Sequence, residues 1–229
     1  MEENLGGSRH TRDTSRDTLA EAAVRYAEER HWDVAPGASV ESTATGRRCS
    51  CGHSACAAPG AHPRHRDWAA QAAGSPGTIR RWWADHPGAA ILLPTGRAFD
   101  VIDVAEPAGC LALARLERLG LPLGPVIATP GRRLQFLVMP GARDKMPDLL
   151  RRSGWGAPAI DMVCRGDGDY VVAPPSPMGS GGIATWAREP TTANRWLPEA
   201  RELVDPIAYA CTQSASRTRP RRTAARAVR

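Results

Sequence analysis

Apolar residues recur at helical spacing in three segments of the chain. In residues 18 to 30 they lie on one face, and a threonine and a glutamate at the start have capping-box spacing, which predicts a helix. Residues 75 to 83 open with Ser-Pro, a pair that suits the N-cap and the first helical position of a second helix. Amphipathic spacing in residues 108 to 119, followed by a glycine, predicts a third.

Short apolar runs of strand length lie between and after these helices. They occupy residues 89 to 93, 99 to 104, 126 to 129, 134 to 138, 159 to 163 and 170 to 173. Pro-Gly-Arg-Arg separates the third run from the fourth, which is typical of a hairpin. Because helices and strands interleave and hairpins occur among them, we expect an α+β or α/β fold with a mixed sheet flanked by helices.

The length and composition suit one good-sized domain or two small ones. The chain has 229 residues, 42% of them hydrophobic, which is enough to bury a core without disulfide staples. No run approaches the roughly 18 apolar residues that span a bilayer, and the polar N-terminus lacks the apolar stretch of a secretory signal, so we expect a cytoplasmic protein. We predict a disordered segment at residues 1 to 17, the domain at 18 to 205, and a disordered tail at 206 to 229.

The basic charge is a property of the tail. The net charge is +6, and residues 217 to 229 contain six arginines and no acidic residue, so the remainder of the chain balances to zero. We expect this segment to be disordered and to add non-specific affinity for phosphate.

Three cysteines and a histidine lie close together in a segment expected to be loop, residues 38 to 67. Cys49, Cys51, Cys56 and His62 offer three sulfurs and one imidazole, which a tetrahedral Zn²⁺ can gather. We therefore predict a structural zinc site in a Cys-rich insert at about residues 45 to 66, with two nearby histidines, at positions 53 and 65, as competing ligands. Free thiols are the alternative, and a disulfide is disfavoured by the reducing compartment.

Acidic residues lie within and just after the second apolar run. Asp103 lies in the predicted strand, and Asp100 and Glu106 face the opposite side if the strand is regular that far. A carboxylate beside a buried sheet needs compensation, and Mg²⁺ with a nucleoside triphosphate would supply it. Alternatively, Asp103 lies at the end of the strand and caps the helix that begins near Pro107.

The order of motifs resembles a known family. Ile-Arg-Arg-Trp-Trp at 79 to 83, Asp-Val-Ile-Asp-Val at 100 to 104, Thr-Pro-Gly-Arg-Arg-Leu-Gln-Phe at 129 to 136 and Gly-Asp-Gly-Asp-Tyr-Val-Val-Ala-Pro-Pro-Ser at 166 to 176 resemble the bifunctional DNA primase/polymerase N-terminal domain of the archaeo-eukaryotic primase superfamily. The Cys-rich insert also looks like that of some members. The resemblance, over about residues 19 to 190, implies a primase-polymerase core related to the RNA-recognition fold.

The same resemblance implies a reaction and the acids that carry it. Such enzymes copy a DNA template from nucleoside triphosphates with two divalent metals, here Mg²⁺ or Mn²⁺. Asp103 matches the first metal-binding acid, and Ala105 stands where the second belongs. Glu106 is one residue late, and Asp161 is a candidate for the third acid. The predicted catalytic residues are therefore Asp103, Glu106 and Asp161.

Two arginines complete the site that the resemblance implies. The family histidine that contacts the incoming phosphates falls on Arg133, and Arg165 is expected to contact phosphate or template. Two functions follow: a DNA primase/polymerase of weak activity, or a catalytically degenerate relative that binds nucleic acid or nucleotide. The chain has no phosphate loop of the GxxxxGK[ST] form, so a helicase partner would be a separate protein.

Overall fold

The computed structural model describes residues 7 to 44, 46 to 155, 160 to 179 and 181 to 218. The helices are α1 (Gly7–Arg30), α2 (Trp68–Gln71), α3 (Pro76–Asp85), α4 (Glu106–Arg118), α5 (Ala142–Arg152) and α6 (Ala200–Thr218). The strands are β1 (Ala35–Thr43), β2 (Gly46–Cys49), β3 (Ala89–Pro94), β4 (Asp100–Ala105), β5 (Val126–Thr129), β6 (Arg133–Val138), β7 (Met162–Arg165), β8 (Tyr170–Val172), β9 (Pro177–Met178), β10 (Gly182–Ile183) and β11 (Thr185–Arg188).

The central sheet has five strands in the order β11-β5-β6-β4-β7. From β4 to β7 the chain runs strand, helix, strand, strand, helix, strand, the split βαβ arrangement. Helix α4 carries the chain past β6, so β5 pairs with the outer edge of β6 and the tight turn between them makes that pair antiparallel. The α+β class is confirmed, but the expected mixed sheet is wrong, because the pairings of this sheet are all antiparallel.

A second sheet has the strand order β2-β1-β3-β8. Its strand β2 and most of β1 lie in the segment, residues 38 to 67, that was expected to be loop. β1 and β2 form a hairpin in which Val40 pairs with Cys49, and β1 also pairs with the buried strand β3. The second strand of this hairpin is the first part of the Cys-rich insert. Residue 45, in the turn of the hairpin, lies outside the described residues. A third, two-stranded sheet contains β9 and β10.

Alternation along β4 divides two hydrophobic cores. Ile102 and Val104 lie in the core formed with α4, α5 and α6, whereas Val101 lies in the other core with α1 and β3. Asp103 has the parity of Val101 and so lies on the side of the sheet away from α4. No helix in the part of the chain described above is both long enough and apolar enough to cross a bilayer.

Both predicted disordered segments overlap helices. Helix α1 begins at Gly7, before the expected start at residue 18, and residues 1 to 6 lie outside the described residues. Helix α6 continues to Thr218, past the expected tail boundary at 206, because Ile207 and Cys211 are buried in the core beside α4. Most of the arginine-rich tail, residues 219 to 229, lies outside the described residues. So does residue 159, the first residue of the strand predicted at 159 to 163, where the structure has β7.

Helix α4 approaches the central sheet closely at Gly109. A Cβ atom at this position would lie 2.6 Å from the Cβ of Leu134 on β6, a separation that real Cβ atoms do not adopt. The absence of a side chain therefore sets the distance between the helix and the sheet.

We predict that Gly109→Ala destabilises the fold by about 1–3 kcal/mol, because the helix must move off β6. The control is Gly77→Ala in α3, where a Cβ meets no atom within 4 Å and the change is expected to be neutral or stabilising by up to about 1 kcal/mol. Urea unfolding measures both. Equal stability of the two variants would contradict the close approach.

Candidate functional site

Five polar residues meet on the side of the central sheet away from α4. The β4–β6 register pairs Asp103 with Gln135 and Ala105 with Arg133. On the other side of β4, Asp103 pairs with Val163, and Arg165 has the same parity two residues later. Asp161 immediately precedes β7. We call the group comprising Asp103, Arg133, Gln135, Asp161 and Arg165 the Asp103 cluster.

The carboxylate of Asp103 is the centre of this cluster and is only 2% exposed. Its Oδ1 accepts a hydrogen bond from Arg133 Nε at 2.6 Å. Its Oδ2 accepts from Gln135 Nε2 at 2.9 Å and from Arg165 Nη2 at 3.0 Å and Nε at 3.2 Å. The buried charge is thus neutralised by two guanidinium groups and hydrogen-bonded by an amide, which is the compensation that burial of a carboxylate demands.

Arg133 joins Asp103 to Asp161. Its Nη1 donates to both carboxylate oxygens of Asp161 at 2.9 Å, and its Nη2 donates to the backbone carbonyl of Asp103 at 3.1 Å. Burial alone would lower the pKa of Arg133, but the hydrogen bonds and charges of Asp103 and Asp161 raise it above its ordinary value. The guanidinium therefore stays cationic, and the two carboxylates balance the two arginines of the cluster.

Glu106, which lies one residue after the position of the family's second acid, has a different partner. Strand β4 ends at Ala105, so Glu106 is the first residue of α4 and its carboxylate accepts from Arg132 Nε at 2.9 Å. The alternative in which Asp103 caps this helix is wrong, because the cap position belongs to Ala105. The structure brings together Asp103, Asp161, Arg133 and Arg165, with Glu106 paired elsewhere.

Asp100 lies on the opposite face of β4, as the alternation predicted. Its Oδ2 accepts the backbone N–H of Arg143 at 3.0 Å, in the first turn of α5. The side chain of Arg143 then donates to Asp169 at 2.7 Å and to the carbonyl of Asp167 at 3.2 Å. These residues hold the β7–β8 turn against α5, and they take no part in the Asp103 cluster.

Sequence reasoning missed Gln135. The available signal was its position two residues after Arg133 in an otherwise apolar strand, which places both side chains on one face. Its amide was recognisable as a partner of Asp103 only once the register of β4 and β6 was known.

The Asp103 cluster does not fit the pair of divalent cations that the resemblance implies. All four carboxylate oxygens of Asp103 and Asp161 already accept hydrogen bonds, and Arg133 lies between the two groups. Ala105 supplies no oxygen where the second acid of the family belongs. A hard cation needs several free oxygen ligands at once, and here the guanidinium groups occupy those oxygens.

The Cys-rich insert brings four potential metal ligands together. One atom each of Cys49, Cys51, Cys56 and His62 lies within 4.8 Å of the others. His62 Nε2 is 3.2 Å from Cys49 Sγ, and His62 Nδ1 contacts the carbonyl of Pro63 at 2.8 Å, an outer contact that orients the ring. His62, rather than the histidines at positions 53 and 65, completes this group.

The thiol of Cys49 is suited to act as a thiolate. Burial would raise its pKa, but hydrogen bonds with the backbone of Cys51 and Gly60 and with the His62 side chain lower the pKa to about 6. Metals bind the thiolate form of cysteine. The set of three sulfurs and one imidazole fits a tetrahedral ion such as Zn²⁺.

Comparison with known proteins identifies one matching family. The family described as bifunctional DNA primase/polymerase, N-terminal, matches residues 23–200, a span that includes both the Asp103 cluster and the Cys-rich insert. Neither the curated proteins nor the solved structures contain a significant match to the chain.

We predict that Arg133→Met destabilises the protein by about 2–4 kcal/mol, because Asp103 would keep its buried charge with one guanidinium fewer. The matched control is its neighbour, Arg132→Met, whose side chain is 76% exposed and whose ion pair with Glu106 lies at the surface. A surface pair contributes at most about 1 kcal/mol. Urea unfolding compares the two variants, and equal losses would mean that Arg133 does not stabilise the buried carboxylate.

Proposed function

This chain belongs to the bifunctional DNA primase/polymerase N-terminal family, and from that premise we propose that it binds nucleic acid through the Asp103 cluster without catalysing nucleotide addition. The observation that carries the proposal is the position of Arg133 between Asp103 and Asp161. A nucleotidyl transferase of this family needs those oxygens for metals, and in this chain an arginine holds them.

The arginines also allow a phosphate to approach without metal. Bare carboxylates on the sheet would repel a phosphate, but Arg133 and Arg165 neutralise them from within the protein. Both guanidinium groups are partly exposed, with side chains 28% and 37% accessible, so they can be reached from solvent. Arginine is well suited to phosphate because its donors form a planar fork. Contact with the backbone of the nucleic acid would position the strand without reading its sequence.

An apolar residue on the same face supports a nucleic-acid partner. Val163, which pairs with Asp103 across the sheet, is 49% exposed beside the guanidinium groups. A face that combines cationic groups with an exposed apolar side chain suits a ligand with charged phosphates and flat bases.

Nucleotidyl transfer is the second candidate. It is favoured by the proximity of Asp103 and Asp161, which one guanidinium bridges. It requires Arg133 to leave both carboxylates, and the surface position of Asp161, whose side chain is 62% exposed, makes that half of the bridge the weaker one.

We further propose that Cys49, Cys51, Cys56 and His62 bind a structural Zn²⁺. Four protein donors complete a tetrahedral shell and leave no position for a reacting water. The ion would stabilise an insert that has little regular structure between β2 and α2, because binding free energy at such a site contributes to folding.

We predict that wild-type protein binds a fluorescein-labelled primer–template equally well without added divalent metal and in Mn²⁺, and does not extend the primer with labelled nucleotides. The double variant Ala105→Asp/Arg133→His restores an acid and an imidazole at the positions where the family has them, and its binding should respond to Mn²⁺. Fluorescence anisotropy and a gel extension assay measure the two properties.

Primer extension by the wild type would contradict this prediction. Extension by the wild type that is abolished in both Asp103→Asn and Asp161→Asn, with folding verified by circular dichroism, would establish the second candidate and refute the first.

For the insert, we predict about one zinc per chain after purification without added metal. Cys51→Ser should lose the zinc and have a lower melting temperature. Cys110→Ser, at an exposed position outside the insert, should keep the zinc and the wild-type melting temperature. Metal analysis and thermal unfolding provide the measurements. Wild-type protein without stoichiometric metal would refute the zinc site.

A further inference from the structure

One tryptophan stands almost entirely in solvent. Trp196 is 89% exposed, the highest value among the exposed large hydrophobic residues of the described chain. It follows a 3₁₀ turn at Thr192–Asn194, in which the buried Asn194 side chain accepts from the backbone of Thr191 at 2.7 Å. The segment before the indole is therefore held by specific hydrogen bonds. Tryptophan is enriched at contact surfaces, because its large ring is apolar and its N–H is polar.

The ring borders a groove of about 490 Å³, which we call the Trp196 groove. Its apolar lining includes Trp32 and Met139 in addition to Trp196. Trp32 is buried in the wall of the groove, where its ring packs against Phe99 with centroids 5.1 Å apart and against Tyr26 at 5.9 Å. The volume is within the range of sites that hold a small ligand or a single base.

The charged side chains described as lining the groove are both arginines. Arg30 and Arg195 lie there beside the imidazole of His31, and none of these lining residues is an acid. Arg30 lies over the Trp32 ring, 5.2 Å from its centroid, and donates to two neutral carbonyls, those of Thr191 and Asn194. Burial, and next the charge of Arg195, lower the pKa of Arg30 below its ordinary value. Glu29, which is not one of the lining residues, offsets part of this shift. The two neighbouring arginines favour an anion at this position.

We infer that the Trp196 groove binds one nucleotide of an unpaired nucleic-acid strand, with the base stacked on Trp196 and its phosphate beside Arg195 and Arg30. Flat aromatic rings next to arginines are how proteins hold single strands irrespective of sequence. The inference rests on the proposed nucleic-acid binding and adds a second contact point. Met139 follows β6 at the end opposite to Arg133, so the two sites lie about 20 Å apart along that strand.

The test uses the full chain and two fluorescein-labelled single strands of equal length, one of thymidines and one with abasic residues. Trp196→Ala should weaken binding of the thymidine strand roughly 5- to 150-fold, the range for loss of one stacked base. Binding of the abasic strand, which has the phosphates but no bases, should be unchanged. Trp196→Phe should recover most of the affinity, and Leu119→Ala, at another exposed apolar position, should have no effect.

Other outcomes would overturn the inference. Equal weakening for both strands would show that Trp196 does not stack on a base, and no weakening for either would show that the groove is not used. If sedimentation shows a wild-type dimer that Trp196→Ala dissociates, the occupant is a second copy of the chain. Arg165→Gln separates the two proposals, because it should weaken both strands through the Asp103 cluster even where Trp196→Ala has no effect.

Discussion

The ion pairs of Asp103 are the interaction on which the centre of this structure depends. A carboxylate that is 2% exposed is tolerated in a sheet because two guanidinium groups and one amide meet it from the adjacent strands. Arg133 and Gln135 come from β6, and Arg165 comes from the edge strand β7, so the charge joins β4 to the strands on both of its sides. The same contacts occupy both carboxylate oxygens of Asp103, and a divalent metal would have to compete with them for these oxygens.

Strand β4 resolves the burial of an acid in two different ways. On one face, Asp103 is neutralised by cationic side chains. On the other, Asp100 is 1% exposed and accepts a backbone N–H in the first turn of α5, where the helix dipole favours a negative charge. The first arrangement leaves guanidinium groups at a surface where a phosphate can reach them, whereas the second only attaches a helix to the sheet. Position relative to solvent separates a candidate binding site from a structural contact.

Two further features that suit a ligand or partner lie outside the Asp103 cluster, on segments with little regular structure. The Cys-rich insert follows the β1–β2 hairpin, and Trp196 follows a 3₁₀ turn. The insert brings four potential metal ligands to one point, and the segment before Trp196 is held by hydrogen bonds of Asn194 and Arg30. A two-core α+β scaffold thus carries a neutralised sheet face, a metal-ligand cluster and an exposed aromatic ring at separate positions.

The sequence by itself determined what depends on nearby residues. The spacing of apolar residues and the Ser-Pro start located α3 and α4, and the alternation of side chains along β4 placed Asp103 and Asp100 on opposite faces. Four potential metal ligands within fourteen residues identified the Cys-rich cluster. Tertiary structure alone decided that Arg133 bridges to Asp161, 28 residues away, that Gln135 completes the shell of Asp103, and that α6 extends beyond residue 206. The physical reason is that strand register is set by pairing across the sheet: a side chain's face is readable from its own strand, but its partner is not.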